Sequence, residues 1–199
     1  MNDVSPIRLP FDIKVPFEFP INTEGWKPVN SSGRRKVHYV RKMENHDMNN
    51  DLVKFFGEKN VTVAPQLYLA IPPNYSLPIH TDIEDFSADP ESSFLRLNTI
   101  YSRSRSQVST WLPKTYKRRT NPSFNSPSYY REEECTLKAI YECPVNFHQV
   151  VLFNPTVPHS VHTTEEWRTT CVYDLFYTYN NTTQRLTKKI AYNIFKDLL

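Results

Sequence analysis

The sequence predicts a mainly β fold, a barrel of strands with helices at its flanks, and three observations predict it. Runs rich in β-branched and apolar residues recur at 61–71, 94–101, 149–153 and 169–179, bounded by Pro, Asn or Ser. Only three glycines stand against sixteen prolines, so the turns between those runs fall to Pro, Asn and Ser, and the loops are stiff. Aromatic residues make up 14% of the chain, which supplies large side chains for a small barrel interior. At 199 residues the chain reads as one domain with a sizeable core, because all-β barrels of this length do not split.

The elements follow in order. Residues 1–60 form a support segment: an extended arm spaced by Pro6, Pro10, Pro16 and Pro20, a polar loop at 30–36, and a helix over 44–57. In that helix Met48, Leu52, Phe55 and Phe56 fall near helical spacing and Gly57 is a natural stop. The barrel core spans 61–179. The run 61–71 reads as a strand, the turn Pro72-Pro73-Asn74 follows, and a second strand carries Ile79-His80-Thr81-Asp82. After an acidic loop at 84–91, residues 94–101 alternate, with Arg96 and Asn98 on one face and Leu95 and Leu97 on the other. A polar face inside a barrel argues for a ligand site. Residues 102–134 resemble an insertion, and 102–119 carry six cations, interleaved with Trp111 and Tyr116, and no acid. The strand 149–153 then leads through Asn154-Pro155-Thr156-Val157-Pro158 to His159, and Arg168 opens the β-rich run 169–179. Thr170 and Val172 share the face of Arg168. The last segment, 183–199, reads as an amphipathic helix with Leu186, Ile190, Ile194 and Leu198 four apart.

Four residues carry the chemistry. Side chains at i and i+2 of an extended segment point to one face, so His80 and Asp82 can grip one metal ion while Thr81 points away. A second imidazole from His159 completes a two-histidine, one-carboxylate face with open coordination positions, which suits non-haem Fe(II). Arg168, nine positions on, offers a bidentate guanidinium to a carboxylate. His162, in Pro158-His159-Ser160-Val161-His162, competes with His159 for the third ligand position. His38, His46 and His148 have no matching partners and read as structural or solvated.

The order His-x-Asp, distal His, then Arg resembles the 2-oxoglutarate- and Fe(II)-dependent oxygenases, and the resemblance covers roughly residues 68–176. It implies a double-stranded β-helix, the jelly-roll or cupin-like barrel. It also implies Fe(II) held by His80, Asp82 and His159, with His159 preferred to His162 because Val157-Pro158-His159-Ser160-Val161 fits the family's pattern. The co-substrate would be 2-oxoglutarate, its far carboxylate paired with Arg168 and assisted by Tyr68. Its decarboxylation with O₂ to succinate and CO₂ would accompany hydroxylation of a peptide side chain or a small molecule. Leu95-Arg96-Leu97-Asn98 is similar to the Arg-x-His element of the aspartyl/asparaginyl β-hydroxylase branch, with Asn98 where that branch has His, and the prolyl hydroxylase-like branch is the other near one. Arg96 and Asn98 are therefore further co-substrate contacts; the other reading of Arg96 is a cross-strand pair with an acid such as Glu84 or Asp85.

Other function classes are weaker. A non-catalytic cupin-like module that binds a metal or ligand is one alternative, and a nucleic-acid-directed oxygenase using the basic stretch is another. The net charge of +3 is too small to argue for nucleic acid by itself. No apolar run in the first twenty residues is long enough for a targeting core or a membrane span, so the expectation is a soluble, cytoplasmic protein without a membrane partner. Cys135, Cys143 and Cys171 have no metal-like spacing and read as free thiols in a reducing compartment. Nothing in the sequence fixes the oligomeric state.

Overall fold

The computed structural model describes residues 4–7, 9–14, 16, 21–30, 37–82, 93–103, 105–116, 128–144 and 147–198. In chain order the strands and helices are β1 (Val4–Ile7), β2 (Lys27–Val29), β3 (His38–Lys42), α1 (Asn50–Gly57), β4 (Val61–Ile71), β5 (Ser76–Thr81), β6 (Arg96–Ser102) and β7 (Ser106–Pro113). They continue with β8 (Ser128–Tyr129), β9 (Cys135–Cys143), β10 (Phe147–Phe153), β11 (His159–Thr163), β12 (Arg168–Tyr179), β13 (Thr182–Arg185) and α2 (Lys188–Phe195).

Two antiparallel sheets face each other. The larger runs β1-β10-β6-β12-β4-β3-β2, with β13 paired to β12, and the smaller runs β8-β5-β11-β7-β9. Strands β4, β5, β6, β7, β9, β10, β11 and β12 divide four and four between the sheets, in the connectivity of a jelly roll. One end of this sandwich is tied shut. Thr163 donates to Pro72 O at 2.6 Å, Thr164 donates to Arg105 O at 2.8 Å, and Thr163 N donates to Tyr75 O at 2.9 Å. The turns after β4, β6 and β11 thereby interlock.

The larger sheet is buried on both faces, and the faces differ. Its outer face packs against α1, α2 and Trp26 to make the principal core, which includes Leu52, Phe56, Leu97, Leu152, Leu175 and Phe195. Its inner face lines a cavity shared with the smaller sheet, where only a small apolar cluster of Ile71, Tyr75, Leu77 and Val161 forms. Burying each of the large outer-face side chains contributes about 1.5–3 kcal/mol, so most of the stabilising apolar surface lies outside the barrel.

Turn chemistry follows the glycine shortage. Asn60, Asn74, Asn180 and Asn181 all adopt positive φ, between 48° and 60°, in the left-handed region that a short amide side chain tolerates. The Asn180-Asn181 pair turns the chain back into β13. The helix expected over 183–199 therefore begins only at Lys188, after Thr187 caps it by accepting from Ile190 N. Its buried face carries Ala191 and Phe195. The first helix is likewise shorter than the expected 44–57, because Asn49 caps it through Leu52 N and a 3₁₀ turn precedes it.

Within the stretch expected as an insertion, 106–113 forms β7, between β11 and β9 in the smaller sheet. The cations Lys117, Arg118 and Arg119 lie outside the described residues, as do Glu84, Asp85 and the acidic loop. Cys135, Cys143 and Cys171 are free thiols, the last two buried. No helix among the described residues is long and apolar enough to cross a membrane.

Candidate metal centre

His80, Asp82 and His159 meet at the end of the sandwich opposite the interlocked turns. Strand β5 delivers His80 near its C-terminal end, β11 delivers His159 at its start, and the two residues face each other in the antiparallel register. Asp82 follows β5 directly, fixed by its N–H donating to Pro155 O at 2.9 Å. The turn 154–158 is itself braced, with Thr156 bonded to the Asn154 side chain at 2.7 Å through its hydroxyl and 2.9 Å through its N–H. One candidate donor atom from each of the three residues lies within 4.8 Å of the other two.

The tautomers of the two histidines follow from their backbone contacts. Nδ1 of His80 lies 2.8 Å from Pro78 O, and Nδ1 of His159 lies 3.0 Å from Val157 O. A carbonyl only accepts, so each Nδ1 carries the proton, and a neutral ring then turns an Nε2 lone pair toward the carboxylate. Oδ1 of Asp82 stands 3.3 Å from His80 Nε2 and 3.7 Å from His159 Nε2. Three acceptors converging in this way form a ligand set that a cation would complete. Donors about 2.1 Å from one ion and at right angles stand about 3 Å apart, so the donor set suits a transition metal bound on one face. Burial would raise the Asp82 pKa, but the neighbouring imidazoles of His80 and His159 and the Arg96 guanidinium outweigh it and hold the carboxyl at about 2. Burial, reinforced by His80, pushes His159 down to about 4, against the pull of Asp82. At neutral pH the ligand forms of both residues are therefore present.

The alternation of β6 places Arg96 and Asn98 on the cavity wall and Leu95 and Leu97 in the outer core. Arg96 reaches Asp82 Oδ2 at 3.8 Å and donates through Nε to Asp174 at 2.7 Å. Its cross-strand acid is thus Asp174, opposite it on β12. Arg185 donates to the second oxygen of Asp174 at 3.2 Å and stacks over Phe94 at 4.6 Å, extending the chain of charges to the C-terminal hairpin. The Asn98 Oδ1 is buried and has no hydrogen-bond partner among the described residues.

Arg168 occupies the closed end of the same cavity. It opens β12, and Thr170 and Val172 line the cavity with it. Its Nη1 donates to Ser106 Oγ at 2.8 Å and to Cys143 Sγ at 3.4 Å, its Nε is buried without an acceptor, and no carboxylate pairs with it among the described residues. Burial lowers its pKa, partly offset by the Cys143 sulfur.

One sequence expectation, on Tyr68, needs correction, and another, on His38, is narrowed to its structural alternative. Tyr68 does not reach the cavity: β4 turns Leu67 and Leu69 inward and Tyr68 outward, where Arg41 lies over its ring at 4.6 Å and Trp26 packs at 6.1 Å. Burial pushes its phenol up to about 12. His38, expected as structural or solvated, lines the cavity and pairs with the Tyr75 hydroxyl at 3.4 Å; burial, then the charge of His80, lowers it to about 4. His162 points to the other face of β11, where it is exposed and bonds Ser76 at 2.9 Å.

No protein-family model matches the sequence, and no curated protein matches it. Among solved structures the chain is similar to a 2OG-Fe(II) oxygenase family oxidoreductase from Burkholderia pseudomallei, at 15% identity and a TM-score of 0.42, covering 75% of this chain and 72% of that one. It is also similar to AviO1 from Streptomyces viridochromogenes, at 12% identity and a TM-score of 0.39, covering 80% and 76%. A third likeness, to ycfD of E. coli, has 12% identity and a TM-score of 0.42, covering 74% of this chain and 37% of that one.

Proposed function

We propose that this protein is an Fe(II)- and 2-oxoglutarate-dependent dioxygenase that hydroxylates a small molecule or a peptide side chain. The observation that carries the reading is the pairing, in one cavity, of three convergent acceptors at one end with a buried, carboxylate-free guanidinium at the other. His80, Asp82 and His159 would hold Fe(II), which supplies O₂ activation coupled to oxidative decarboxylation of the co-substrate. Arg168, Ser106 and Thr170 would bind the far carboxylate; the guanidinium fork gives that contact direction as well as charge. Arg96 would fix the carboxylate of Asp82 from behind, and Asn98 would offer its amide to the near end of the co-substrate. The interlocked turns at the closed end exclude water from the ion pair formed there, which strengthens it.

Anaerobic calorimetry with Fe(II), followed by 2-oxoglutarate, tests the reading, with succinate formation under air as the activity readout. Stoichiometric iron binding that disappears in His80→Ala, Asp82→Ala and His159→Ala is expected, whereas His162→Ala retains it. Arg168→Ala is expected to keep iron and lose 2-oxoglutarate. A protein that binds neither iron nor 2-oxoglutarate is not such an enzyme.

A further inference from the structure

The cavity is larger than this co-substrate needs. It measures about 520 Å³, whereas a diacid of ten heavy atoms fills at most about 300 Å³ even if each atom is allowed the volume of a water molecule. The remaining space has a direction. The register sets Lys27 opposite Val40, Val40 opposite Leu69, and Leu69 opposite Thr170, so these four residues form one row across the larger sheet from its β2 edge to its centre. All four line the cavity. Three strand spacings make the row about 14 Å long.

The row is apolar between its ends. Val40 and Leu69 form its floor, with Leu67 beside them, and Leu77 of the smaller sheet lines the same cavity. His38, two positions along β3 from Val40 and on the same cavity face, adds no charge at neutral pH, since burial keeps it unprotonated. Lys27 ends the row, exposed and with no acid partner among the described residues. A row that ends at an exposed ammonium, beside a wall of Val40, Leu67 and Leu69 that only Gln66 and the uncharged His38 make polar among the described residues of β3 and β4, is complementary to a molecule with an aliphatic body and an anionic end.

We propose that this lobe binds the substrate as an elongated aliphatic body ending in an anionic group, the body lying along Leu67, Leu69 and Val40 and the anion at Lys27. The inference rests on the oxygenase reading only in naming this ligand the substrate; the binding itself needs no metal.

The test is calorimetry on the metal-free full chain with three eight-carbon probes: octanoate, octyl sulfate and octanol. The two anions are expected to bind at least tenfold more tightly than octanol. Lys27→Gln should remove that tenfold advantage and leave octanol unchanged, and Val40→Trp, which fills the floor, should remove all three while the fold melts as before. Octanoate binding without octyl sulfate binding identifies a carboxylate, and binding of both identifies an anion in general; either supports the lobe. Octanol equal to the anions, an unaltered octanoate affinity in Lys27→Gln, or displacement of octanoate by saturating 2-oxoglutarate overturns it. The two readings fail separately. Iron and 2-oxoglutarate binding without any octyl-anion binding overturns the lobe alone, and octyl-anion binding by a protein that takes up neither iron nor 2-oxoglutarate overturns the oxygenase reading alone.

Discussion

Arg96 and Arg168 stand on neighbouring strands, face one cavity and are almost equally withdrawn from water, at 6% and 3% exposure. Their surroundings differ in kind. Arg96 sits between two carboxylates, with Asp174 bonded to it and Asp82 at 3.8 Å, and a second arginine closes the chain behind Asp174. Arg168 has a hydroxyl and a thiol, and an Nε with nothing to donate to among the described residues. A buried charge whose partners are all in the protein holds the fold and fixes its neighbours. A buried charge whose partner is missing is a cost, and a fold retains such a cost where a ligand completes it.

The contrast can be broken by substitution. Arg96→Met leaves Asp174 with Arg185 alone and takes the guanidinium from beside Asp82, and is expected to lower the stability of the metal-free protein by about 3 kcal/mol, read from urea denaturation. Arg168→Met is expected to do the reverse, leaving stability unchanged or raising it by about 1 kcal/mol, while weakening 2-oxoglutarate by about 2–5 kcal/mol in a direct titration. Equal stability losses in the two variants would remove the distinction.

A third site sharpens it by showing a buried group that must stay uncharged. His38 has an ordinary value of 6.5 and is held at about 4, so the unfolded chain takes up a proton that the folded one refuses. Its share of the stability is complete above pH 6.5 and is lost as pH falls to about 4, amounting to about 3 kcal/mol. His159 adds the same slope, so the measurement is the difference between native protein and His38→Gln, whose pH profile should be flatter over that window. The smallest effect belongs to Tyr68→Phe. Because its hydroxyl lies on the far side of the sheet, 2-oxoglutarate affinity should change by less than about twofold.

The candidate metal face was legible in the sequence because its geometry is local. His80 and Asp82 need only an i, i+2 spacing, and Arg96 and Asn98 are separated from Leu95 and Leu97 by plain alternation in β6. Choosing His159 over His162 rested on a resemblance, and the structure places the two on opposite faces of β11. What stayed hidden is long-range. Strand β4 is apolar on both faces, since one packs on the helices and the other lines the cavity, so its composition carries no phase that would turn Tyr68 outward. The row from Lys27 to Thr170 joins four strands, β2, β3, β4 and β12, and Asp174 meets Arg96 only because the two strands pair 78 residues apart. The hairpin at Asn180-Asn181 interrupts a convincing helical stripe because two left-handed asparagines reverse the chain first.

The apolar side chains that hold the larger sheet in place lie on its helix-facing side, while the cavity occupies the other. Chassis and tooling are thereby separated. Lining positions such as Val29, Val40, Leu69 and Val151 can be exchanged without opening a void among Phe56, Leu97 and Phe195, so a lineage or an engineer can retarget the cavity in small steps, each starting from a protein that still folds.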